Sequence, residues 1–236
     1  MAIGIGGARE EEAPVPAVEW ARVREFTMGT VERPATAKRA RPVRGPRAIR
    51  VPKGAGSSQV FAPCVYIAPP APPAPAGAVE PCLFEDPESQ RLLCYLVADG
   101  EVESEGERRF QVCDGQGQEI GTIRRIPSSK RMFKHTWRIH QPGQAEVVGR
   151  NQWASGDAKR IAERGAGKVF TDLLNSVASG GAEGGDQGSP IRKSRTLEWW
   201  ADGQLVMVSE GTKLVTIKAE WLDRRLAFAF ALLGDR

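Results

Sequence analysis

The sequence predicts a mainly β domain that encloses a C-terminal apolar helix and follows a basic, proline-rich arm. Three observations lead to this fold class. Of 236 residues, 26 are Gly and 17 are Pro, so long stretches should lack regular structure. After Cys82, apolar and polar residues alternate in short segments, as they do in strands with one buried face. Near the C-terminus, Leu226 to Leu233 is apolar on every side, which predicts an element buried all round.

Residues 1–80 are predicted to be a disordered arm with one short helix near Val18 to Phe26. From Arg33 to Val79 there are eight Lys/Arg and no acidic residue. The arm holds 11 basic and 7 acidic residues against 22 and 22 in 81–236, so it carries the whole net charge of +4. The simpler interpretation of this stretch is a solvated linker, and the alternative is attraction to an anionic partner. The proline tract at 66–79 is expected to extend as polyproline II.

Residues 81–236 are predicted to form the compact domain. RRFQVCD and EIGTIRRI read as two strands of a hairpin, because the DGQGQE segment between them has turn composition. Further strands are predicted in KHTWRIH, AEVVGR, RTLEWW, QLVMVS and TKLVTIKA, in an antiparallel meander. A helix interrupted by glycines is predicted over 157–177 and a flexible Gly-rich loop over 179–188.

The final segment, EWLDRRLAFAFALLGDR, predicts a buried helix. A helix of 12 to 14 residues is about 20 Å long, which suits the interior of a closed barrel.

This order of elements resembles the tubby-like C-terminal domain superfamily, which includes the phospholipid scramblases and LURP-one-related proteins, and within it the small bacterial members. The resemblance covers about Cys82 to Arg236. It implies a closed antiparallel barrel of roughly 12 strands around a C-terminal hydrophobic helix. The matching structural positions are in the hairpin, the TWRI strand and the helix: Phe110, Asp114, Gly115, Trp137, Leu226, Phe228 and Phe230.

Basic side chains around the end of the hairpin are the best sequence candidate for an anion-binding site. They are Arg124, Arg125, Lys130, Arg131 and Lys134. An ordinary charged turn is the competing interpretation. The acidic run from Asp99 to Glu107 lacks the spacing of a calcium loop, and RGAGKVF lacks the spacing of a phosphate loop. His135 and His140 are five residues apart and point to opposite faces of a strand, so no metal site is predicted.

The sequence excludes several classes of protein. Its longest apolar run has eight residues against the roughly 20 that span a bilayer, and an export signal is not recognised, so a cytoplasmic protein is expected, with peripheral contact to a membrane as an option. Four widely spaced cysteines form no zinc pattern, and no nucleophile motif, catalytic residue or cofactor fingerprint is found. The resulting hypothesis is a non-catalytic binding or scaffold domain that associates with anionic phospholipid. The alternative is a nucleic-acid-associated protein that binds through its basic arm.

Overall fold

The fold is a closed barrel of antiparallel strands with one helix inside it. The computed structural model describes residues 13–99, 107–126, 136–151, 196–210 and 214–234. The elements are β1 (Glu25–Arg33), β2 (Val43–Lys53), β3 (Val60–Ala68), β4 (Ala78–Phe84), β5 (Leu92–Asp99), β6 (Arg108–Asp114), β7 (Glu119–Ile126), β8 (Thr136–His140), β9 (Val147–Asn151), β10 (Thr196–Ala201), β11 (Gln204–Glu210), β12 (Leu214–Ile217) and α1 (Arg224–Gly234). One 3-10 turn, Gly56–Ser58, lies between β2 and β3.

Each strand pairs with the next along the chain, and β1 closes the ring by pairing with β12. The closing register places Glu25 opposite Thr216 and Phe26 opposite Val215. The ring has 12 strands, so each one has two neighbours and no edge is left open for another chain. The prediction of a closed, antiparallel β-barrel around a C-terminal helix is confirmed.

Helix α1 fills the interior of the barrel. Leu226, Phe228 and Phe230 are at most 2% exposed. Phe228 meets the Phe26 ring edge-on at 4.9 Å between centroids. Phe230 lies 4.5 Å from the ring of Trp199 and 5.4 Å from that of Trp137, both edge-on. Aromatic side chains from opposite parts of the barrel wall thus pack onto the final apolar segment. The sheet therefore encloses this segment.

The domain boundary at residue 80 was wrong. Strands β1, β2 and β3 and the start of β4 lie within the stretch assigned to the arm, and they supply a third of the ring. The eight basic residues of the stretch lie at the end of β1, in the loop that follows it and in β2. Residues 1–12 lie outside the described residues.

Prolines concealed these strands because proline cannot donate a hydrogen bond to a sheet. In the structure three of the four prolines in these strands lie where the strand pairing is irregular, and the fourth, Pro52, pairs in regular register with Phe61. The register between β1 and β2 shifts beside Pro46, that between β2 and β3 shifts where Arg50 faces Pro63, and that between β4 and β5 shifts across Pro81. Such irregularities leave a residue unpaired, so a proline is tolerated there.

Two local predictions for the arm also differ from the structure. The proline tract joins β3 to β4 through two turns, closed by the Ala74 amide on the Ala71 carbonyl at 2.7 Å and by the Ala78 amide on the Pro75 carbonyl at 3.2 Å. Val18 does not begin a helix. Its amide donates to the Pro63 carbonyl at 2.9 Å, and the chain then reaches β1.

The two ends of the barrel differ in what they hold. We call the end where α1 begins the entry end and the opposite one the exit end. At the entry end Asp223 caps the helix, accepting from the Arg225 amide at 2.9 Å, while its own amide donates to Gln141 Oε1 at 2.9 Å. The buried Arg224 donates to four backbone carbonyls, among them those of Val23 and Leu222. These bonds fix α1 to the barrel wall.

The interrupted helix predicted over 157–177 and the Gly-rich loop over 179–188 lie outside the described residues.

Candidate anion-binding surfaces

Two of the five cations predicted as an anion site lie in β7, and the structure gives them different surroundings. Arg124 points outward and is already paired: its Nε lies 2.7 Å from Glu107 Oε1, and its Nη1 lies 3.9 Å from Glu146 Oε1. The same Glu146 also receives Arg138 at 2.7 Å. Much of the positive charge of Arg124 is therefore neutralised within the sheet.

Arg125 lies next to Arg124 at the exit end of the barrel. Its guanidinium carbon is 5.6 Å from the centroid of the Trp137 ring, a cation–π contact in which the arginine keeps its charge. Arg108 faces Arg125 in the neighbouring strand β6 and is exposed. The other three predicted cations, Lys130, Arg131 and Lys134, lie outside the described residues.

The strongest cationic surface among the described residues is one that sequence reasoning placed in a disordered arm. We call it the basic hairpin, residues 33–47, made of the end of β1, the loop and the start of β2. It contains six basic residues and no acidic one: Arg33, Lys38, Arg39, Arg41, Arg44 and Arg47. Lys38, Arg41, Arg44 and Arg47 are exposed, whereas Arg33 and Arg39 are half-buried.

Local hydrogen bonds give the basic hairpin a defined shape. At its tip Thr36 and Arg39 exchange backbone bonds of 2.8 and 3.0 Å. Arg39 also reaches the Pro34 carbonyl at 3.2 Å, and Arg44 Nη1 donates to Thr30 Oγ1 at 3.0 Å. The cations are thus carried on an ordered β-hairpin at the exit end. Sequence reasoning recognised the run of charge but had no signal for the hairpin that displays it.

A buried ion pair lies beneath the basic hairpin. The Arg50 side chain is 1% exposed and donates to Glu32 Oε1 at 3.4 Å and to the carbonyls of Gly29, Phe61 and Pro46 at 3.0, 3.1 and 2.6 Å. Burial lowers the pKa of Arg50, and the neighbouring Glu32 carboxylate opposes that shift. Because Arg50 joins three strands, it holds the base of the hairpin against the barrel.

The turn between β6 and β7 has a role in the fold. Asp114 Oδ1 accepts from the amides of Gln116 and Gln118 at 3.0 and 2.9 Å, which is a side-chain-stabilised turn. A Cβ atom on Gly115 would lie 2.1 Å from the Leu92 carbonyl oxygen. Phe110, in the preceding strand, is half-buried against the core.

Replacing Gly115 by alanine is expected to lower the free energy of unfolding by about 1 to 3 kcal/mol, because the backbone at Leu92 has to move. Chemical denaturation measures the change. Gly29→Ala is the matched control, since a Cβ there has no neighbour within 4 Å, and it should change stability by less than about 0.5 kcal/mol. Equal effects of the two substitutions would contradict this account of Gly115.

The four cysteines are buried and free. Burial raises the pKa of the Cys64 thiol to about 12 and raises that of Cys94 as well, so neither is a ready nucleophile at neutral pH. Within the described part of the chain, no three His, Cys, Asp or Glu side chains are grouped as a metal site. His140 is exposed on β8, and His135 is outside the described residues.

No model of a protein family, no curated protein and no solved structure matches this chain. Among the residues that the structure describes, no helix has the length and apolar character needed to cross a membrane. The class that fold and surface define is therefore a 12-stranded meander barrel, filled by its own C-terminal helix and carrying a cationic hairpin at one end.

Proposed function

We propose that this protein is a non-catalytic binding or scaffold domain that associates with anionic phospholipid at a membrane surface. One observation carries the proposal: an ordered hairpin displays six Lys/Arg with no acidic residue among them. Such a surface is attracted to the negative potential of an anionic bilayer. The four free cysteines support a reducing, cytoplasmic setting for the contact.

The fold supports the same proposal through the tubby-like superfamily. That group is expected to have a closed barrel of roughly 12 strands around a C-terminal helix, and this chain has that order of elements. We propose membership on this likeness together with Asp114, Gly115 and the apolar α1. The lipid association is argued from the charge of the hairpin and does not depend on that membership.

The expected association is weak and reversible. A Lys or Arg close to an anionic membrane contributes about 1 kcal/mol. Four exposed side chains, Lys38, Arg41, Arg44 and Arg47, therefore supply about 4 kcal/mol, equivalent to a dissociation constant near 1 mM. The half-buried Arg33 and Arg39 add to this. Binding should fall as salt rises, since the Debye length shortens from about 10 Å at 0.1 M to about 3 Å at 1 M.

Vesicle flotation tests the proposal. The full chain is expected to float at low salt with vesicles of equal parts phosphatidylserine and phosphatidylcholine, and not with phosphatidylcholine alone. The double variant Lys38→Glu/Arg41→Glu should abolish flotation, because it changes the charge of the hairpin by four units. Arg22→Glu/Lys53→Glu is the matched control, with the same charge change on exposed residues at the entry end, and should bind more strongly than the hairpin variant.

Two results would overturn the proposal: no flotation of the unchanged chain at low salt, or equal loss in both double variants. Duplex DNA in the same buffer distinguishes the other partner class. If the chain binds DNA more tightly than the vesicles, with affinity that falls linearly in log salt and depends on Lys38 and Arg41, the surface serves nucleic acid instead.

A further inference from the structure

Charge is distributed unequally between the two ends of the barrel. The antiparallel ring places every second connection at the exit end. The exit end is taken as its described connections, two strand residues on each side of them, and the end of α1. It contains nine Lys/Arg and four Asp/Glu, a formal charge of +5. These residues are 32–44, 67–79, 98–99, 107–109, 125–126, 136–137, 150–151, 196–197, 209–210, 214–215 and 233–234.

The entry end has the opposite sign. Its connections, counted in the same way with the chain leading into β1 and the start of α1, contain seven Lys/Arg and ten Asp/Glu, a formal charge of −3. These residues are 20–26, 52–61, 83–93, 113–120, 139–148, 200–205 and 216–225. The described part of the barrel is therefore a charge dipole whose positive end is the exit end.

The positive charge of the exit end is spread across the barrel. The basic hairpin connects β1 to β2, whereas Arg108 and Arg125 lie in β6 and β7. In a ring of 12 strands, β1 and β7 are six positions apart, which places them on opposite sides. With neighbouring strands about 4.8 Å apart, these two groups of cations are separated by roughly 20 Å.

We infer that the barrel docks end-on, with the exit end facing an anionic bilayer and the entry end facing away from it. The inference rests on the proposed function. A flat phosphate surface contacts both groups of cations at once only in this orientation, and the same orientation moves the net negative entry end away from the lipid. Docking on its side would bring only one of the two groups of cations to the bilayer.

Single fluorescent labels test this orientation on the full chain. The native cysteines are at most 4% exposed, so a maleimide dye should react with an introduced cysteine and spare the native ones. Ala40→Cys places the dye at the tip of the basic hairpin, and Ser57→Cys places it in the exposed turn between β2 and β3 at the entry end. Both positions belong to the same side of the barrel, so they differ in end and not in side.

On vesicles of equal parts phosphatidylserine and phosphatidylcholine, the Ala40 dye should shift to the blue and be quenched by nitroxide-labelled lipid headgroups. The Ser57 dye should do neither. If the labelled chain floats with the vesicles and Ser57 responds as strongly as Ala40, the end-on orientation is refuted while lipid association stands. If it does not float, the proposed function fails and the orientation fails with it.

Discussion

Phe230→Ala should lower the free energy of unfolding by about 3 to 5 kcal/mol, a large share of the 5 to 15 kcal/mol typical of a domain. The phenyl ring is 2% exposed and packs edge-on between Trp199 and Trp137. Its removal loses the burial of the ring and two aromatic contacts, and it leaves a cavity that a closed ring of strands is poorly able to collapse.

Equilibrium unfolding in urea measures the effect, and tryptophan emission supplies a local report because both neighbours of Phe230 are indoles. Phe110→Ala is the matched control. It is the same chemical change at a half-buried side chain of β6, and it should cost less than half as much. If the two variants were equally destabilised, α1 would not be the centre of the core.

Arg50→Met should cost about 3 to 5 kcal/mol, because it leaves the Glu32 carboxylate buried without its partner. The Glu32 side chain is 10% exposed, and it lies so close to Gly45 that a Cβ there would be 2.0 Å from Oε1. Three backbone carbonyls lose their donor in the same variant. Arg41→Met, at an exposed position of the same hairpin, should have little effect.

A double-mutant cycle with Glu32→Gln isolates the pair. The unpaired Glu32 carboxylate is expected to be the main cost of removing Arg50. If so, the double variant Glu32→Gln/Arg50→Met should be more stable than the sum of the two single changes predicts, by about 1 kcal/mol or more. Strict additivity would show that Arg50 acts through the carbonyls alone. Each of the two single substitutions should also loosen the basic hairpin. Limited proteolysis after its basic residues would detect this change.

The sequence supported the second half of the fold far better than the first. Strands β6 and β7 were predicted because Phe110 and Val112 alternate with polar neighbours and an Asp-Gly turn follows. Helix α1 was predicted because Leu226 to Leu233 contains no polar residue. In β2 and β3, by contrast, Pro46, Pro63 and a buried arginine interrupt the sequence. The alternation of apolar and polar residues that indicates a strand is therefore absent.

Only part of the candidate site could be predicted from the sequence. The run of cations is plain in the sequence, but its position depends on which residues pair in space. Arg124 appeared as available as Arg41 until the structure placed Glu107 and Glu146 beside it, from the positions directly before β6 and β9. The charge difference between the barrel ends likewise emerges only when alternate loops are sorted by topology.

Closure of β1 against β12 has a consequence for how the chain reaches its native state. The Ile217 amide donates to the Arg24 carbonyl at 2.7 Å, joining segments almost two hundred residues apart. During synthesis, neither that seam nor the helix that fills the interior is available until β12 and α1 have left the ribosome. Until then the nascent chain exposes an apolar concave sheet with two unpaired margins, a species prone to capture by chaperones. Its folding should be slow for its size, because contacts this distant are entropically costly to form.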